Sequence, residues 1–152
     1  MVGIDTDVLV LAFRFHRDER QEMNSRFLAK VRYESPIVAI YTVMELLGQL
    51  SFNFSPDRLA SWPIWLQAEY ALSVVYPEFG NEGAEKFFRR ELVERPFQKM
   101  RHRMPYQDAL ILSLMEKVPS LTTFVTWNAR HFRGKSSIEV LTPVEYLSVR
   151  SS

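Results

Sequence analysis

Short apolar runs that lead directly into helix-forming segments constrain the fold of this chain more than any other feature. The run VGI (residues 2–4) is followed by residues that favour helix through about Lys30. The run PIVAI (residues 36–40) leads at once into an amphipathic helical pattern, and two β-prone runs, at residues 121–126 and 138–143, come near the end. Continuous apolar runs suit strands buried on both faces, so the alternation predicts a mainly parallel sheet covered by helices.

The middle of the chain gives a mixed prediction. Ser55 precedes a proline and is a plausible N-cap, whereas residues 62–79, bracketed by Pro63 and Pro77, are ambiguous, and their ALSVVY stretch (residues 71–76) could be a strand. Residues 81–100 favour a helix broken near Pro96. Residues 104–117 and 143–149 complete the helical segments. We therefore expect an α/β fold, a three-layer α/β/α sandwich with a mainly parallel twisted sheet of four to five strands.

Composition narrows the class of protein. The hydrophobic fraction of 47% suffices for one core, and no linker divides the chain, so a single domain over residues 1–152 is expected. The sequence contains no cysteine, which excludes disulfides and thiolate metal sites. Its start lacks a basic segment followed by a long apolar one, and its apolar runs are too short to span a bilayer. We expect a cytoplasmic protein with no membrane association.

Polar side chains stand where predicted strands end or where helices begin. Asp5 follows the first strand, Glu45 lies one turn into the helix after the second, Asp108 lies in the first turn of another helix, and Asn128 follows the strand LTTFVT. The carboxyl ends of parallel strands share one edge of the sheet, so these groups are expected to converge there. Crowded carboxylates repel one another, and oxygen ligands without His or Cys favour Mg²⁺ or Mn²⁺. Two such ions would suit hydrolysis of a phosphodiester.

Each of these residues also has a purely structural interpretation. Asp108 could complement the macrodipole of its helix, and Asn128 could cap a short helical turn. Glu45 could lie on a solvated helix face. Asp7 is better explained as a group that caps backbone N–H groups at the strand–helix junction than as a catalytic acid. The histidines, including His131, lack metal-ligand spacing and are more typical of surface or core positions.

Four motifs in order strengthen the catalytic interpretation: GIDTDVLV, VMELLG, PYQDALILSL and FVTWNARHF. Together they resemble the PIN-domain nucleases, especially the VapC-type toxins of prokaryotic toxin–antitoxin pairs, over residues 2–141. The resemblance implies an endoribonuclease that uses Mg²⁺ or Mn²⁺ to hydrolyse single-stranded RNA. It also implies a homodimer and a small antitoxin protein as inhibitor.

The resemblance assigns roles to individual residues. Asn128 matches a fourth catalytic position, where the family uses Asp or Asn, and its lack of charge implies that a second metal ion binds more weakly. Asp7 matches a supporting position thought to orient the first acid. Thr126 matches a small hydroxyl residue that lines the same site. The catalytic acids and metal ligands that the resemblance implies are Asp5, Glu45 and Asp108.

A basic stretch leads into Asp108. Residues 86–103 contain seven Lys or Arg and two Glu. A basic segment beside an acidic metal site suits a polyanion whose cleaved phosphate lies on the metal. Arg101 and Arg103 are the predicted phosphate contacts, and Arg130 is predicted to assist. The aromatic residues expected to stack on bases are Trp127, Phe132 and Tyr106.

Three other functions fit parts of the sequence. A haloacid dehalogenase-type phosphatase would use Asp5 as nucleophile and Asp7 as acid, but Val8 and Leu9 replace the usual Gly-Thr. A non-catalytic PIN-like module would bind RNA or protein without cleaving, although all three acids are retained. A structure-specific DNA nuclease would usually carry long insertions, which this chain lacks.

Overall fold

A single sheet of five parallel strands forms the centre of the computed structural model, which describes residues 1–149. The strand order is β3-β2-β1-β4-β5, so β1 is central. The register pairs Gly3 with Ile37 on one side and with Phe124 on the other. The strands are β1 (Val2–Ile4), β2 (Pro36–Ala39), β3 (Ser73–Val75), β4 (Thr123–Val125) and β5 (Glu139–Leu141).

Helices connect the strands and cover both faces of the sheet. The helices are α1 (Thr6–Arg14), α2 (Gln21–Val31), α3 (Ile40–Leu50), α4 (Pro56–Ala60), α5 (Trp62–Tyr70), α6 (Ala84–Arg89), α7 (Arg95–Met100), α8 (Tyr106–Met115), α9 (Ala129–Phe132) and α10 (Pro143–Val149). A single π-helical turn, Arg90–Glu94, joins α6 to α7. Of the helices within residues 1–149, none is long and apolar enough to cross a membrane.

Two apolar layers hold the helices against the sheet. One contains Phe27, Leu46 and Tyr146, from α2, α3 and α10, and the other contains Ile111 and Phe132, from α8 and α9. The central strand is packed closely on the second layer, since a Cβ on Gly3 would lie 2.9 Å from a ring carbon of Phe124. The predicted α/β/α sandwich is therefore confirmed, and its sheet is entirely parallel.

Most predicted elements agree with the structure, and two differ. Ser55 caps α4 by accepting a hydrogen bond from the N–H of Arg58, and residues 71–76 contain β3. The helix predicted to run through Lys30 is instead α1 and α2, because residues 15–20 form a bend between them. The break predicted at Pro96 does not occur, since the preceding π-helical turn places Pro96 in the first turn of α7. Residues 150–152 of the predicted domain lie outside the described residues.

Candidate active site

The predicted catalytic acids lie at the carboxyl edge of the sheet, next to the central strand β1. From β1, the next strands along the chain are added on one side of the sheet and the last two on the other. β2 follows β1 on one side and β4 lies on the other, which is the kind of crevice where parallel α/β sheets bind ligands. Asp5 directly follows β1 and caps α1, because its Oδ1 accepts a 2.8 Å hydrogen bond from the N–H of Thr6. The side chain is buried, with 5% of the residue exposed.

Glu45 reaches the same edge from α3. The hydroxyl of Thr6 donates to Glu45 Oε2 at 2.7 Å, so Thr6 contacts both acids, one through its backbone and the other through its side chain. Glu45 is half-buried and hydrogen-bonded to Thr6, which favours a place in the site over a fully solvated helix face. Sequence reasoning did not identify Thr6, although a hydroxyl residue between two aspartates at a strand end was the available signal.

Asp7 holds the loop after β4 in place. Its Oδ1 accepts from the N–H of Trp127 at 3.1 Å, and its Oδ2 accepts from the N–H of Asn128 and the hydroxyl of Thr126, both at 3.0 Å. Both carboxylate oxygens are thereby occupied. Asp7 therefore has the capping role expected of it, but the N–H groups that it caps belong to the loop after β4 and not to its own helix.

Asn128 precedes α9, but its side chain does not cap that helix. Its Nδ2 lies 2.8 Å from Nδ1 of His131, so the amide and the imidazole form a pair. His131 and Lys135 are close enough to Asp108 to favour the charged form of that carboxyl and so oppose the rise in its pKa. His131 therefore belongs to the site, contrary to the interpretation of it as a surface or core residue.

The acids act on one another electrostatically. Burial, followed by the negative charge of Asp7 and more weakly that of Asp108, raises the pKa of Asp5 well above its ordinary value, against the hydrogen bond from the N–H of Thr6. Burial and the charge of Glu45 raise the pKa of Asp108. Burial also raises the pKa of Asp7. The site thus contains more negative charge than its own protein donors neutralise.

Two of these carboxylates, those of Asp5 and Asp108, are suited to binding a divalent cation. Among residues 1–149, no three His, Asp or Glu side chains are close enough to enclose a metal ion. Asp5, Glu45 and Asp108 therefore do not form the ready-made three-carboxylate cage that the sequence suggested. Mg²⁺ does not need one, since it is often held by one or two carboxylates and keeps several waters. Asp5 and Asp108 have the right chemistry for such a site, because the charge of Asp108 makes ionisation of Asp5 harder unless a cation is present.

The basic residues divide into paired and unpaired groups. Most of the run at residues 86–103 is neutralised, because Arg89, Arg90, Arg95 and Lys99 form ion pairs with glutamates. The predicted phosphate contacts are exposed and have no ion pair within the described residues; they are Arg101, Arg103 and Arg130. Together with the exposed Lys86, which also has no ion pair within the described residues, they remain available to an anion.

The aromatic residues proposed to stack on bases differ in exposure. Phe132 is 1% exposed and packs on Phe124, so it cannot contact a base. Trp127 is half-buried, and its indole N–H donates to Asn24. Tyr106 is 43% exposed, and its hydroxyl donates to the carbonyl of Leu92. Of the three predicted rings, Tyr106 and Trp127 therefore keep some surface for a base, and the prediction for Phe132 is wrong.

Comparison with known proteins supports the fold. No protein-family model matches the chain, and no curated protein matches it in sequence. The fold is similar to that of a chain in VapBC2 from Rickettsia felis, solved bound to a DNA fragment from its promoter, with a TM-score of 0.62 and 18% identity over 93% of this chain and 98% of that chain. It is similar also to a chain of FitAcB from Neisseria gonorrhoeae, with a TM-score of 0.62 and 15% identity over 95% and 99% of the two chains. The likeness supports the PIN-like α/β/α sandwich.

These comparisons correct the family assignment suggested by the four motifs. Two of the solved structures that the chain resembles are the VapBC2 and FitAcB complexes, which contain antitoxins and are not PIN-domain toxin nucleases, and their low identity shows the fold alone. Membership in the VapC-type toxins, as inferred from the motifs, is therefore wrong. The function has to be argued from the side chains at the carboxyl edge of the sheet.

Proposed function

We propose that this protein is a metal-dependent endoribonuclease that hydrolyses phosphodiester bonds in single-stranded RNA. The observation that carries the proposal is the buried carboxylate of Asp5, at the switch point of a parallel sheet, with Asp7 and Asp108 close enough to raise its pKa. A cap for α1 requires one acceptor and no neighbouring acid. Accumulated negative charge in a buried position is typical of a site that binds a cation.

The side chains have separable roles in this proposal. Asp5 and Asp108 would hold Mg²⁺ or Mn²⁺, and Glu45 would reach the site through water while Thr6 fixes its orientation. The bound cation would supply acidity to the attacking water and would neutralise charge at the phosphate. Asn128 would bind substrate or water beside it. Asp7 and Thr126 would keep the loop that carries Asn128 in place.

The choice of RNA as substrate depends on the free positive charge. Arg101, Arg103 and Arg130 are exposed, and the structure pairs none of them with a carboxylate within residues 1–149. Exposed guanidinium groups bind phosphates, and Arg103 is connected to the acids through Lys135, which donates to the Arg103 carbonyl and whose charge acts on Asp108. The partly exposed rings of Tyr106 and Trp127 favour a single strand, whose bases are free to stack.

The proposed biological role is that of the toxin in a toxin–antitoxin pair acting in the cytoplasm. The support is the similarity in fold to VapBC2 and FitAcB, which come from toxin–antitoxin systems. The partner would be a small antitoxin protein that blocks access to the acids. Co-purification with the product of a neighbouring short reading frame, and loss of RNA cleavage in that complex, would test this role.

We also propose a homodimer. The segment from α6 to α7 exposes a row of apolar side chains, the apolar stripe, which consists of Phe88, Leu92, Val93, Phe97 and Met100. Contiguous exposed apolar surface marks protein interfaces, and a two-fold dimer uses the same patch on both subunits. Phe97→Asp should shift the sedimentation coefficient to that of a monomer, whereas Phe52→Asp, at an exposed position elsewhere, should not.

The nuclease proposal is tested by two isosteric substitutions and a control. Asp5→Asn and Asp108→Asn should each lower the rate of cleavage of a fluorescent single-stranded RNA by at least about a hundredfold, the size of effect seen when a catalytic electrostatic group is removed. Asp57→Asn, which alters an exposed acid of α4, should leave the rate unchanged. EDTA should abolish cleavage, and Mg²⁺ or Mn²⁺ should restore it.

Two alternatives predict different results. A non-catalytic module would bind RNA equally well before and after the Asp5→Asn substitution, and the purified protein would not cleave RNA in Mn²⁺. A phosphatase of the haloacid dehalogenase type needs Asp7 as a free acid, but both oxygens of Asp7 accept hydrogen bonds from the loop after β4. If incubation with a phosphomonoester left a phosphoryl group on Asp5, that result would nevertheless support the phosphatase alternative.

A further inference from the structure

A small cavity lies directly beside the acids, on the side of α1 and α3. Its volume is about 200 Å³, and its lining includes the acids Asp7 and Glu45. Phe15, Arg20 and Gln49 also line it, and none of these three follows from the acidic motifs. The cavity is smaller than the pockets that hold drug-sized ligands, and its volume suits one planar ring system.

Arg20 is held rigidly at this cavity. Its Nε donates to Asp18 Oδ1 at 2.9 Å and its Nη2 donates to Asp18 Oδ2 at 2.7 Å, which is the two-pronged geometry that orients a guanidinium. The guanidinium carbon lies 5.5 Å from the ring centre of Trp127. Trp127 is fixed in turn, because its indole N–H donates to the buried Asn24 at 2.8 Å. Arg20 is therefore oriented before any ligand arrives.

One nitrogen of that guanidinium is left for a ligand. Within residues 1–149, Nη1 of Arg20 donates no hydrogen bond, whereas Nε and Nη2 are both occupied by Asp18. The side chain of Arg20 remains 47% exposed. A fixed guanidinium with a free donor at the edge of an acidic site is suited to a phosphate oxygen.

Phe15 and Gln49 provide the complementary surface for a base. Phe15 is 49% exposed at the end of α1, and the guanidinium carbon of Arg14 lies 5.8 Å from its ring centre, so a base would stack on the other ring face. Gln49 follows Glu45 by one helical turn on α3, so the two side chains point to the same side. The Gln49 amide has no hydrogen-bond partner among the described residues, and an amide offers both a donor and an acceptor to the edge of a base.

We propose that this cavity is a nucleotide subsite next to the bond that is cleaved. Phe15 stacks on the base, Gln49 hydrogen-bonds to its edge, and Arg20 binds the adjoining phosphate. The inference rests on the proposed nuclease function and deepens it, because it assigns base selection to Phe15 at the end of α1 and Gln49 on α3, in addition to the stacking proposed for Tyr106 and Trp127. The same groups position substrate without touching the reacting atoms.

The test measures binding separately from cleavage. In an Asp108→Asn background, which should bind without cleaving, the affinity for short fluorescent RNA homopolymers of each of the four nucleotides is measured by anisotropy in Mg²⁺. Phe15→Ala should weaken binding about tenfold, the loss expected for one stacked base. Gln49→Ala should change the order of preference among the four homopolymers. The matched control is Phe52→Ala, which removes an aromatic ring that is 85% exposed elsewhere.

Kinetics of the active protein test Arg20. Arg20→Ala should raise KM by about tenfold with little change in kcat, as expected for a group that binds substrate and transition state equally. Arg20→Lys should rescue less than half of the loss, because an ammonium lacks the fork that Asp18 orients. Arg26→Ala, at an exposed position of α2, should change neither constant.

The two proposals fail differently. If the Phe15, Arg20 and Gln49 variants bind and cleave like their parents while Asp5→Asn abolishes cleavage, the subsite is wrong and the nuclease function stands. If Asp5→Asn leaves cleavage unchanged, the nuclease function fails, whatever the binding data show. Thermal melting of each variant would confirm that these exposed substitutions preserve the fold.

Discussion

The hydroxyl of Thr126 donates a hydrogen bond to the carboxylate of Asp7 at 3.0 Å, although 119 residues separate them in the chain. This contact joins the beginning of α1 to the end of β4. The same carboxylate accepts the N–H groups of Trp127 and Asn128, so one side chain organises the turn that follows β4. Since Asn128 lies in that turn, the position of a candidate catalytic residue depends on a distant acid.

Asp7→Asn should destabilise the protein by about 1–3 kcal/mol. The substitution replaces one acceptor oxygen by an NH₂ group, so at least one N–H or O–H donor of the turn after β4 loses its partner while it remains buried. Urea denaturation followed by tryptophan fluorescence would measure the change. Asp57→Asn, at an exposed carboxylate, is the control and should have an effect within about 0.5 kcal/mol. A loss as small as that of the control would mean that Asp7 does not hold the turn.

The raised pKa of Asp5 predicts that an amide at this position stabilises the metal-free protein. Because the folded state holds the proton more tightly than the unfolded state, ionisation of Asp5 costs stability as the pH rises above the unfolded value of about 4. In EDTA, Asp5→Asn should therefore melt at a higher temperature than the parent. The difference should widen as the pH rises from about 4 towards 7, while the amide oxygen still caps the N–H of Thr6.

In Mg²⁺, the parent should melt at a higher temperature than Asp5→Asn, the reverse of the order expected in EDTA. A cation that binds only the folded, ionised site raises the melting temperature as its concentration exceeds its dissociation constant, so the parent should gain stability and Asp5→Asn should not. The gain should increase with pH over the same window, because binding requires the carboxylate. Differential scanning fluorimetry with Mg²⁺ or with Na⁺ at equal ionic strength separates binding from screening. An equal gain in parent and variant would contradict the assignment of Asp5 as a ligand.

The fold could be predicted from the sequence because its signals are local. Short apolar runs followed by helical periodicity sufficed to identify four of the strands, whereas β3 (Ser73–Val75) lies in a stretch that the sequence left ambiguous. The break between α1 and α2 was missed because residues 15–20 contain no proline or glycine. There Asp18 accepts a hydrogen bond from the backbone N–H of Arg20, a local side-chain turn that competes with helix and has only a weak sequence signature.

Part of the candidate site could also be predicted from local sequence signals. Asp5, Glu45 and Asp108 could be assigned to one edge because strand ends in a parallel sheet coincide. The contributions of His131 and Arg20 could not be predicted, since each depends on a side-chain direction or on a partner distant in sequence. Thr6 was missed although its position between two aspartates at a strand end was a usable signal. The family assignment failed because short motifs of common residues specify a fold and an edge of the sheet, but not a lineage.

The buried ion cluster around Glu91 predicts a large loss of stability on neutralisation. Glu91 is 5% exposed, and its Oε1 accepts from Arg90 Nε at 2.9 Å as well as from Arg95 and Lys117. Glu91→Gln leaves three partly exposed cations around a neutral amide, and the weakening of their charge-assisted hydrogen bonds should cost about 1.5–3 kcal/mol. Glu85→Gln, in the exposed pair with Arg89, should cost no more than about 0.5 kcal/mol. Equal losses in urea denaturation would mean that solvent screens the Glu91 cluster.

Two glycine substitutions at one helix should have opposite effects on stability. Ala71 ends α5 with φ 55° and ψ 29°, a left-handed conformation that costs about 1 kcal/mol for a residue with a Cβ. Ala71→Gly should therefore stabilise the protein by about that amount, since its N–H keeps the hydrogen bond to the carbonyl of Gln67. Ala68→Gly, at an exposed position inside α5, should destabilise it by about 1 kcal/mol. Chemical denaturation of both variants gives the two signs, and a loss of stability in both would show that Ala71 is not strained.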